Sequence, residues 1–173
     1  MAKGKIKVQA ENIFPIIKKF LYTDQEIFLR ELVSNAVDAT TKLKKLSSLG
    51  EFKDSLGDLK IEVKLNKEQK TISIIDRGVG MSSNEVKQYI NQVAFSGAED
   101  FIKKYEDKDD KSGIIGHFGL GFYSAFMVAE KVQIFTKSYK KSEKGCFWEC
   151  DGSPEYNLKE IDRDERGTEI ILH

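Results

Sequence analysis

The chain has 173 residues, of which 40% are hydrophobic and 32% charged, a composition typical of a globular domain that buries a core without disulfides. Its 28 Lys and Arg residues balance 28 Asp and Glu residues, so no bulk positive field favours nucleic acid. These values exclude a disulfide-stapled miniprotein and a disordered chain, and they argue against an electrostatic nucleic-acid binder.

We expect the protein to be cytoplasmic and to have no membrane partner. The start of the chain, Met1 to Lys5, is charged through its two lysines and has no apolar run behind it, so neither a signal peptide nor a transit peptide is predicted. The longest uncharged stretch, Ser112 to Ala129, is rich in glycine in its first half and therefore favours a glycine loop and a buried helix over a membrane span. With only two histidines as co-ligands, Cys146 and Cys150 are expected to be free buried thiols rather than zinc ligands.

The first half of the chain is predicted to contain its longest helix. Apolar residues recur at helical spacing from Gln25 to about Leu46, and Thr23 stands three residues before Glu26, the spacing of a capping box. A polar turn at 66–69 separates two apolar runs and predicts a β-hairpin. The predicted elements are a strand at Lys5–Ala10, helices at Asn12–Leu21 and Gln25–Leu46, and strands at Leu59–Leu65 and Lys70–Ile75.

The second half is predicted to be mainly β-structure. Capping-box pairs, Ser82 with Glu85 and Ser96 with Glu99, open two short helices. A charged run at Glu106–Lys111 predicts a mobile loop before the glycine-rich segment and a helix to about Val128. Four strands with short connections follow, at Lys131–Lys137, Gly145–Cys150, Glu155–Leu158 and Gly167–Leu172. The predicted class is therefore α+β, a two-layer sandwich in which helices cover one face of a mostly antiparallel sheet.

A polar stripe follows one edge of the long helix. On a helical wheel of about 100° per residue, Glu31, Asn35, Asp38 and Lys42 lie beside the apolar arc. A carboxylate one turn from an amide oxygen can place a water beside a hard cation. The alternative is a solvated flank with an ion pair between Asp38 and Lys42. The predicted buried arc consists of Phe28, Leu29, Leu32, Val33, Ala36, Ala39 and Leu43.

Asp76 is a second candidate for ligand binding. It follows the apolar strand that ends at Ile75 and precedes Gly78 and Gly80. Glycines allow the backbone to approach a ligand closely, so the carboxylate stands at a strand end where a ligand could reach it. The alternative is an ordinary turn, in which Asp beside Gly is common.

The glycine-rich segment Gly116–Gly121 is a candidate phosphate cradle. Its glycines free the backbone to turn N–H groups inward, and the helix that follows adds partial positive charge. A tight turn or close helix packing is the alternative. The sequence lacks the P-loop pattern and a complete Rossmann glycine pattern. Neither histidine has a serine or cysteine elbow that would support nucleophilic hydrolysis.

Four short segments stand out together: ELVSNAVDA at Glu31–Ala39, DRGVGM at Asp76–Met81, GHFGLGFYS at Gly116–Ser124, and Gly167–Thr168. In this order they resemble the nucleotide-binding motifs of the gyrase, heat-shock chaperone, histidine kinase and mismatch-repair ATPase superfamily. The runs at 26–36 and 119–126 are most similar to the amino-terminal domain of the ninety-kilodalton heat-shock chaperones, above all their bacterial form. The resemblance covers nearly the whole chain and implies a Bergerat-type ATP-binding fold.

The resemblance also implies a role for individual residues. Asp76 would accept the adenine amino group, Thr168 would support it through water, and Met81 would pack against the base. Asn35 would ligate Mg²⁺, and Glu31 would be the general base that aligns and deprotonates the attacking water. The remaining nucleotide-binding residues would be Asp38, Gly80 and, through backbone amides, Gly119, Leu120, Gly121 and Phe122.

At the level of function, the resemblance implies an ATP-hydrolysing domain of a molecular chaperone, with ATP or ADP and Mg²⁺ as cofactors. Residues 1–173 would form one domain at the amino-terminal end of a longer protein, in which ATP closes a lid over Ser96–Gly121 and drives the cycle of a homodimer that binds client proteins. Because the family's catalytic arginine lies downstream and Phe95 replaces a frequent lid lysine, the isolated chain is expected to be a monomer with weak turnover. The alternatives are a histidine kinase catalytic domain and a nucleotide-binding module without turnover.

Overall fold

The computed structural model describes residues 26–91 and 121–173. Within these ranges the chain forms two α-helices, a 3-10 helix and six strands. The predicted elements at Lys5–Ala10 and Asn12–Leu21, the helix start at Ser96 and the loop at 106–111 lie outside the described residues. The observed elements are α1 (Ile27–Ser48), β1 (Glu62–Asn66), β2 (Thr71–Asp76), α2 (Ser83–Tyr89), the 3-10 helix (Gly121–Met127), β3 (Val132–Lys137), β4 (Gly145–Cys150), β5 (Asn157–Ile161) and β6 (Gly167–Leu172).

The six strands form one sheet in the order β1-β2-β6-β3-β4-β5, and every neighbouring pair is antiparallel. The last strand, β6, is inserted between the β1–β2 hairpin and the β3–β4–β5 meander. This insertion places Asp76 of β2 opposite Thr168 of β6, and Thr168 opposite Thr136 of β3. Because directly opposed residues point to the same face, three adjacent strands present polar side chains at one level of the sheet.

The hydrophobic core lies between one face of the sheet and the helices. Alternate residues of the central strands are buried on this face, whereas their neighbours on the other face are half-buried. The predicted two-layer α+β class is therefore confirmed. The core residues of the two layers include Ile74, Val132, Ile134, Trp148 and Leu172 from the sheet, and Leu32, Ala36, Phe122, Tyr123 and Ala125 from the helices.

The burial pattern of α1 differs in part from the predicted arc. Leu32, Ala36 and Leu43 are buried as predicted, but Leu29 is 38% exposed, because it lies in the first turn at the margin of the packed layer. Asp38 is buried, with 5% of its surface exposed, so the stripe is not the uniformly solvated flank that the alternative requires. The other predicted members of the arc, Phe28, Val33 and Ala39, are half-buried.

Several predicted boundaries move by a few residues. Glu26, rather than Thr23, occupies the N-cap of α1, without a side-chain capping bond; Thr23 lies outside the described residues. The strand predicted to start at Leu59 starts at Glu62, because Asp58 accepts a hydrogen bond from the Lys60 amide and forms a local turn. The strand predicted at Glu155–Leu158 is observed at Asn157–Ile161.

The capping box at the start of α2 is confirmed. The Ser82 hydroxyl accepts a hydrogen bond from the Glu85 amide, and the Glu85 carboxylate accepts one from the Ser82 amide. Each side chain thus satisfies one of the backbone donors that a helix start leaves unpaired. The short helix is thereby fixed directly after the loop that follows Asp76.

The two cysteines are free and buried, as predicted. Both lie on β4 and face the helix layer. Burial raises the pKa of each thiol above its ordinary value, so both side chains are protonated core residues at neutral pH. Among the described residues, no helix is both long and apolar enough to cross a bilayer.

Candidate functional site

The carboxylate of Asp76 lies at the carboxyl end of β2. Asp76 is 6% exposed, and its Oδ1 accepts a hydrogen bond of 2.8 Å from the Gly78 amide. This hydrogen bond to Gly78 is the contact expected if Asp76 belongs to an ordinary turn, which was the alternative to ligand binding. However, an ordinary surface turn does not bury a carboxylate, so burial sets Asp76 apart from one.

The electrostatic environment of Asp76 keeps the carboxylate costly to ionise. Burial raises its pKa to about 6, although the amides of Gly78 and Thr168 and the charge of Arg163 act in the opposite direction. A buried carboxylate that accepts from two amides of the described residues still has lone pairs for a ligand that brings its own N–H groups.

Close backbone contacts hold the loop after Asp76 in place. The Val79 amide donates to the Ala39 carbonyl of α1 at 3.2 Å, and the Tyr139 amide donates to the Val79 carbonyl at 2.8 Å. Gly80 has a φ of 58° and packs directly against the Lys137 carbonyl, so a side chain would collide there. The predicted residue Gly80 is thus required by the turn itself, next to Met81.

The helix α1 connects this loop to the 3-10 helix. At one end, Ala39 contacts Gly78 and Val79. At the other, Glu31 Oε2 would lie 2.5 Å from a Cβ on Gly121, so the carboxylate lies close against that glycine. The eight steps of the helix from Glu31 to Ala39 span about 12 Å. Asp76 and Gly121 therefore mark two ends of one surface, and Asn35 lies half-buried between them.

The segment Gly121–Met127 is a 3-10 helix rather than the predicted α-helix. The Ser124 hydroxyl donates to the Gly121 carbonyl at 2.5 Å, and the Tyr123 hydroxyl donates to the Ile90 carbonyl. The Phe122 side chain is buried and packs edge-on against Trp148, with ring centroids 5.6 Å apart. Only its backbone is left to meet a phosphate. The predicted residues Gly119 and Leu120 lie outside the described residues.

Thr168 and Met81 are brought together by a residue that the sequence analysis did not identify. The Thr136 hydroxyl lies 2.9 Å from the Thr168 hydroxyl and accepts a hydrogen bond of 2.9 Å from the Met81 amide. Thr136 is fully buried. The available signal was a polar residue on the apolar face of β3, in phase with Val132 and Ile134.

Alanine substitutions at two glycines of this surface should have different effects. A Cβ on Gly78 would meet the Ala39 backbone and lie 2.7 Å from the Ala39 Cβ, whereas a Cβ on Gly121 would meet the movable end of Glu31. We expect Gly78→Ala to lower the free energy of unfolding by about 1–3 kcal/mol. Gly121→Ala should preserve the fold but displace the Glu31 carboxylate. Urea unfolding of both variants measures the difference, and equal losses of stability would contradict this description of the contacts.

Comparison with known proteins identifies the family. Residues 22–167 match the model of the family described as histidine kinase-, DNA gyrase B- and HSP90-like ATPases. The chain is similar to chaperone protein HtpG of Bacteroides thetaiotaomicron, with 64% identity over 173 residues, 100% of this chain and 25% of that protein. For chaperone protein HtpG of Porphyromonas gingivalis the identity is 60% over 171 residues, 99% of this chain and 25% of that protein.

A more distant relative comes from a eukaryote. The mitochondrial TNF receptor-associated protein 1 homolog of Dictyostelium discoideum is 39% identical over 173 residues, 99% of this chain and 24% of that protein. The chain thus spans about a quarter of the length of these relatives. The family expected from the four motifs is confirmed, since the match covers residues 22–167, which include all of α1 and extend to the first residue of β6. This chain belongs to the family of histidine kinase-, DNA gyrase B- and HSP90-like ATPases.

Proposed function

We propose that the chain binds and hydrolyses ATP as the nucleotide-binding domain of a longer molecular chaperone. The observation that carries this proposal is the position of two carboxylates on one surface. Asp76 is buried at the end that meets Ala39, and Glu31 lies against Gly121 at the other. A base with an exocyclic amine suits the first end, and a phosphate chain with an attacking water suits the second.

The adenine end would be formed by Asp76, Thr168, Met81 and Gly80. Asp76 accepts from the exocyclic amine, and Thr168, directly opposite on β6, supports this contact. Met81 is half-buried and packs against the edge of the core, so its side chain can cover the base. Gly80 keeps the backbone close to the sheet and leaves room for the ring.

The phosphate end would be formed by α1 and the start of the 3-10 helix. Mg²⁺ prefers hard oxygen ligands, and the half-buried Asn35 amide, one turn from Glu31, fits this preference. When bound, the ion would neutralise phosphate charge. Glu31 would hold and deprotonate the attacking water, and the backbone of Gly119, Leu120, Gly121 and Phe122 would bind the phosphates. Asp38, which is buried on α1, is the remaining nucleotide-binding residue of the proposed site.

Glu31 favours an ATPase over the two alternatives. A nucleotide-binding module has no need of a carboxylate beside the phosphate-binding backbone, and a histidine kinase domain transfers the phosphoryl group without a glutamate base. The names of the similar bacterial proteins favour a chaperone. Following the resemblance to the heat-shock chaperones, we propose that the longer protein forms homodimers, binds client proteins and is located in the cytoplasm.

The proposed metal ligand can be tested apart from catalysis. We expect Asn35→Ala to remove most of the gain in ATP affinity that Mg²⁺ gives the unaltered chain, about tenfold, because one oxygen ligand of the ion is lost. Calorimetric titrations with ATP, with and without Mg²⁺, measure this gain. Asn84→Ala, an exposed change on α2, is the control. An Asn35→Ala chain with the full Mg²⁺ dependence would show that Asn35 is structural.

A further inference from the structure

We propose that strand β1, at one edge of the sheet, binds a second copy of the chain. The two copies pair antiparallel through β1, with Val63 of one opposite Val63 of the other, so that their sheets join into one. The contact uses none of the residues assigned to the nucleotide and does not depend on the proposed function. It is carried by the exposed apolar side chains of this edge and by the order of its charges.

Strand β1 ends the sheet within residues 26–91 and 121–173. It pairs with β2 on one side only, so every second backbone amide and carbonyl of β1 points away from the sheet. Such groups are a template for another strand. The other end strand, β5, is less suited to an apolar contact, because Leu158 and Ile161 are half-buried and point to opposite faces.

Apolar side chains of β1 form an open stripe on one face of the sheet. Val63 is 46% exposed and Leu65 is 71% exposed. They lie opposite Ile74 and Ile72 of β2 and therefore point to the face that carries the helices. Half-buried Ile61 precedes them on the same face. A second stripe of the same kind, placed alongside, would remove these side chains from water.

The charges of β1 lie on the opposite face and alternate in sign. Glu62 lies between Lys60 and Lys64, whose Nζ atoms are 3.6 and 3.9 Å from Glu62 Oε1. A hydrogen bond from Arg77 lowers the pKa of Glu62, so the carboxylate is charged at neutral pH. Lysines on an edge strand usually keep other strands away. The glutamate between them makes the edge attractive to a strand with the complementary order of charges.

An antiparallel copy of β1 has this complementary order. With the two-fold axis at Val63, Glu62 lies opposite Lys64 of the other copy, and Ile61 lies opposite Leu65. Opposite charges then meet on one face and apolar side chains on the other, and the symmetry makes each of these contacts twice. An axis at position 62 or 64 would instead place like charges opposite each other. The charges therefore select one register.

Charge reversals test this register. Glu62→Lys and Lys64→Glu should each weaken self-association at least about tenfold, because positions 62 and 64 then carry the same charge and repel across the axis. An equimolar mixture of the two variants should recover association, since each chain then meets opposite charges in the other. No other face of the chain explains this recovery.

Sedimentation of the 173-residue chain at low salt and without nucleotide measures the association. Across about a hundredfold range of concentration, the unaltered chain should change from the monomer that the resemblance implies to a dimer. Exchange of every second amide hydrogen of β1 should slow over the same range. Lys159→Glu, an exposed charge reversal on β5, is the control and should associate like the unaltered chain.

Val63→Lys is a second variant for the same contact. It places two like charges at the axis and keeps the ion pair between Glu62 and Arg77, so it tests the contact if Glu62→Lys loses stability. Circular dichroism shows whether each variant is folded. We expect folded Val63→Lys to stay monomeric at concentrations at which the unaltered chain is dimeric.

Four results would overturn the proposed contact. They are an unaltered chain that stays monomeric over the whole range, folded β1 variants that associate normally, a mixture that does not recover association, and loss of association in Lys159→Glu. None of these results bears on nucleotide binding, so the proposed function would stand or fall by its own titrations.

Discussion

Replacing Glu31 by glutamine or alanine is expected to lower the rate of ATP hydrolysis by a factor of about 10² to 10⁴ while ATP still binds. The reason is that a general base contributes to the step in which water attacks, not to the affinity for the nucleotide. The carboxylate lies against Gly121 at the start of the 3-10 helix, beside the backbone that would hold the phosphates. Steady-state turnover at saturating Mg²⁺ and ATP, with affinity measured by calorimetry, separates the two quantities.

Glu68→Gln is the control for this experiment. Glu68 lies exposed in the turn between β1 and β2, so its removal should change neither turnover nor affinity. If the Glu31 variants hydrolyse ATP as fast as the unaltered chain, the base lies elsewhere. If the unaltered chain binds ATP but shows no turnover, the alternative of a binding module without hydrolysis is favoured.

Replacing Asp76 by asparagine should weaken ADP binding about tenfold to a hundredfold without unfolding the chain. The buried carboxylate would make a charge-assisted hydrogen bond to the base, and loss of such a bond costs about 1.5–3 kcal/mol. The asparagine oxygen can still accept from the Gly78 amide, so the local turn is kept. Asp58→Asn, an exposed change in another local turn, is the control and should bind ADP normally.

The same substitution should show by how much the buried carboxylate lowers the free energy of unfolding when no nucleotide is bound. Burial raises the pKa of Asp76 from an ordinary 3.8 to about 6, so the folded chain holds the proton more tightly than the unfolded chain does. This tighter proton binding stabilises the folded chain. The stabilisation is fully present below about pH 4 and is lost as the pH rises through about 6, which lowers the free energy of unfolding by about 3 kcal/mol. Asp76→Asn lacks this loss and should be the more stable chain at pH 7.5.

Urea unfolding of both chains across this pH range measures the effect. The ADP affinity of the unaltered chain should also fall as the pH drops below about 6, because a protonated carboxyl is a poorer acceptor for an amine. An Asp76→Asn chain with the stability profile and ADP affinity of the unaltered chain would show that Asp76 is a structural turn residue.

The sequence predicted those parts of the fold that depend on local signals. The bounds of β4 and β6 were predicted to the residue, because alternating burial and adjacent turns define them. The Ser82 capping box was predicted from a spacing of three residues, and the structure contains it. Burial of Leu29 was predicted wrongly, since the wheel treats every turn of α1 alike and cannot show where the packed layer ends.

Contacts between distant strands account for what the sequence could not show. Thr136 meets Thr168 and Met81 only because β6 is inserted between β2 and β3. No spacing in the sequence expresses this neighbourhood, and a threonine in a strand is ordinary. Likewise, the contact between Glu31 and Gly121 joins residues 90 positions apart. The motifs indicated that both residues matter, but only the packing of α1 against the 3-10 helix shows that they meet.

The central claim is that one surface, from Asp76 to Gly121, binds an adenine nucleotide. The most direct test is a calorimetric titration of the 173-residue chain with ADP and Mg²⁺ at pH 7.5, repeated with Asp76→Asn. The proposed site predicts saturable binding of one ADP per chain, weakened at least about tenfold by the substitution. A folded chain that shows no saturable binding, or that binds equally well after the substitution, would contradict it.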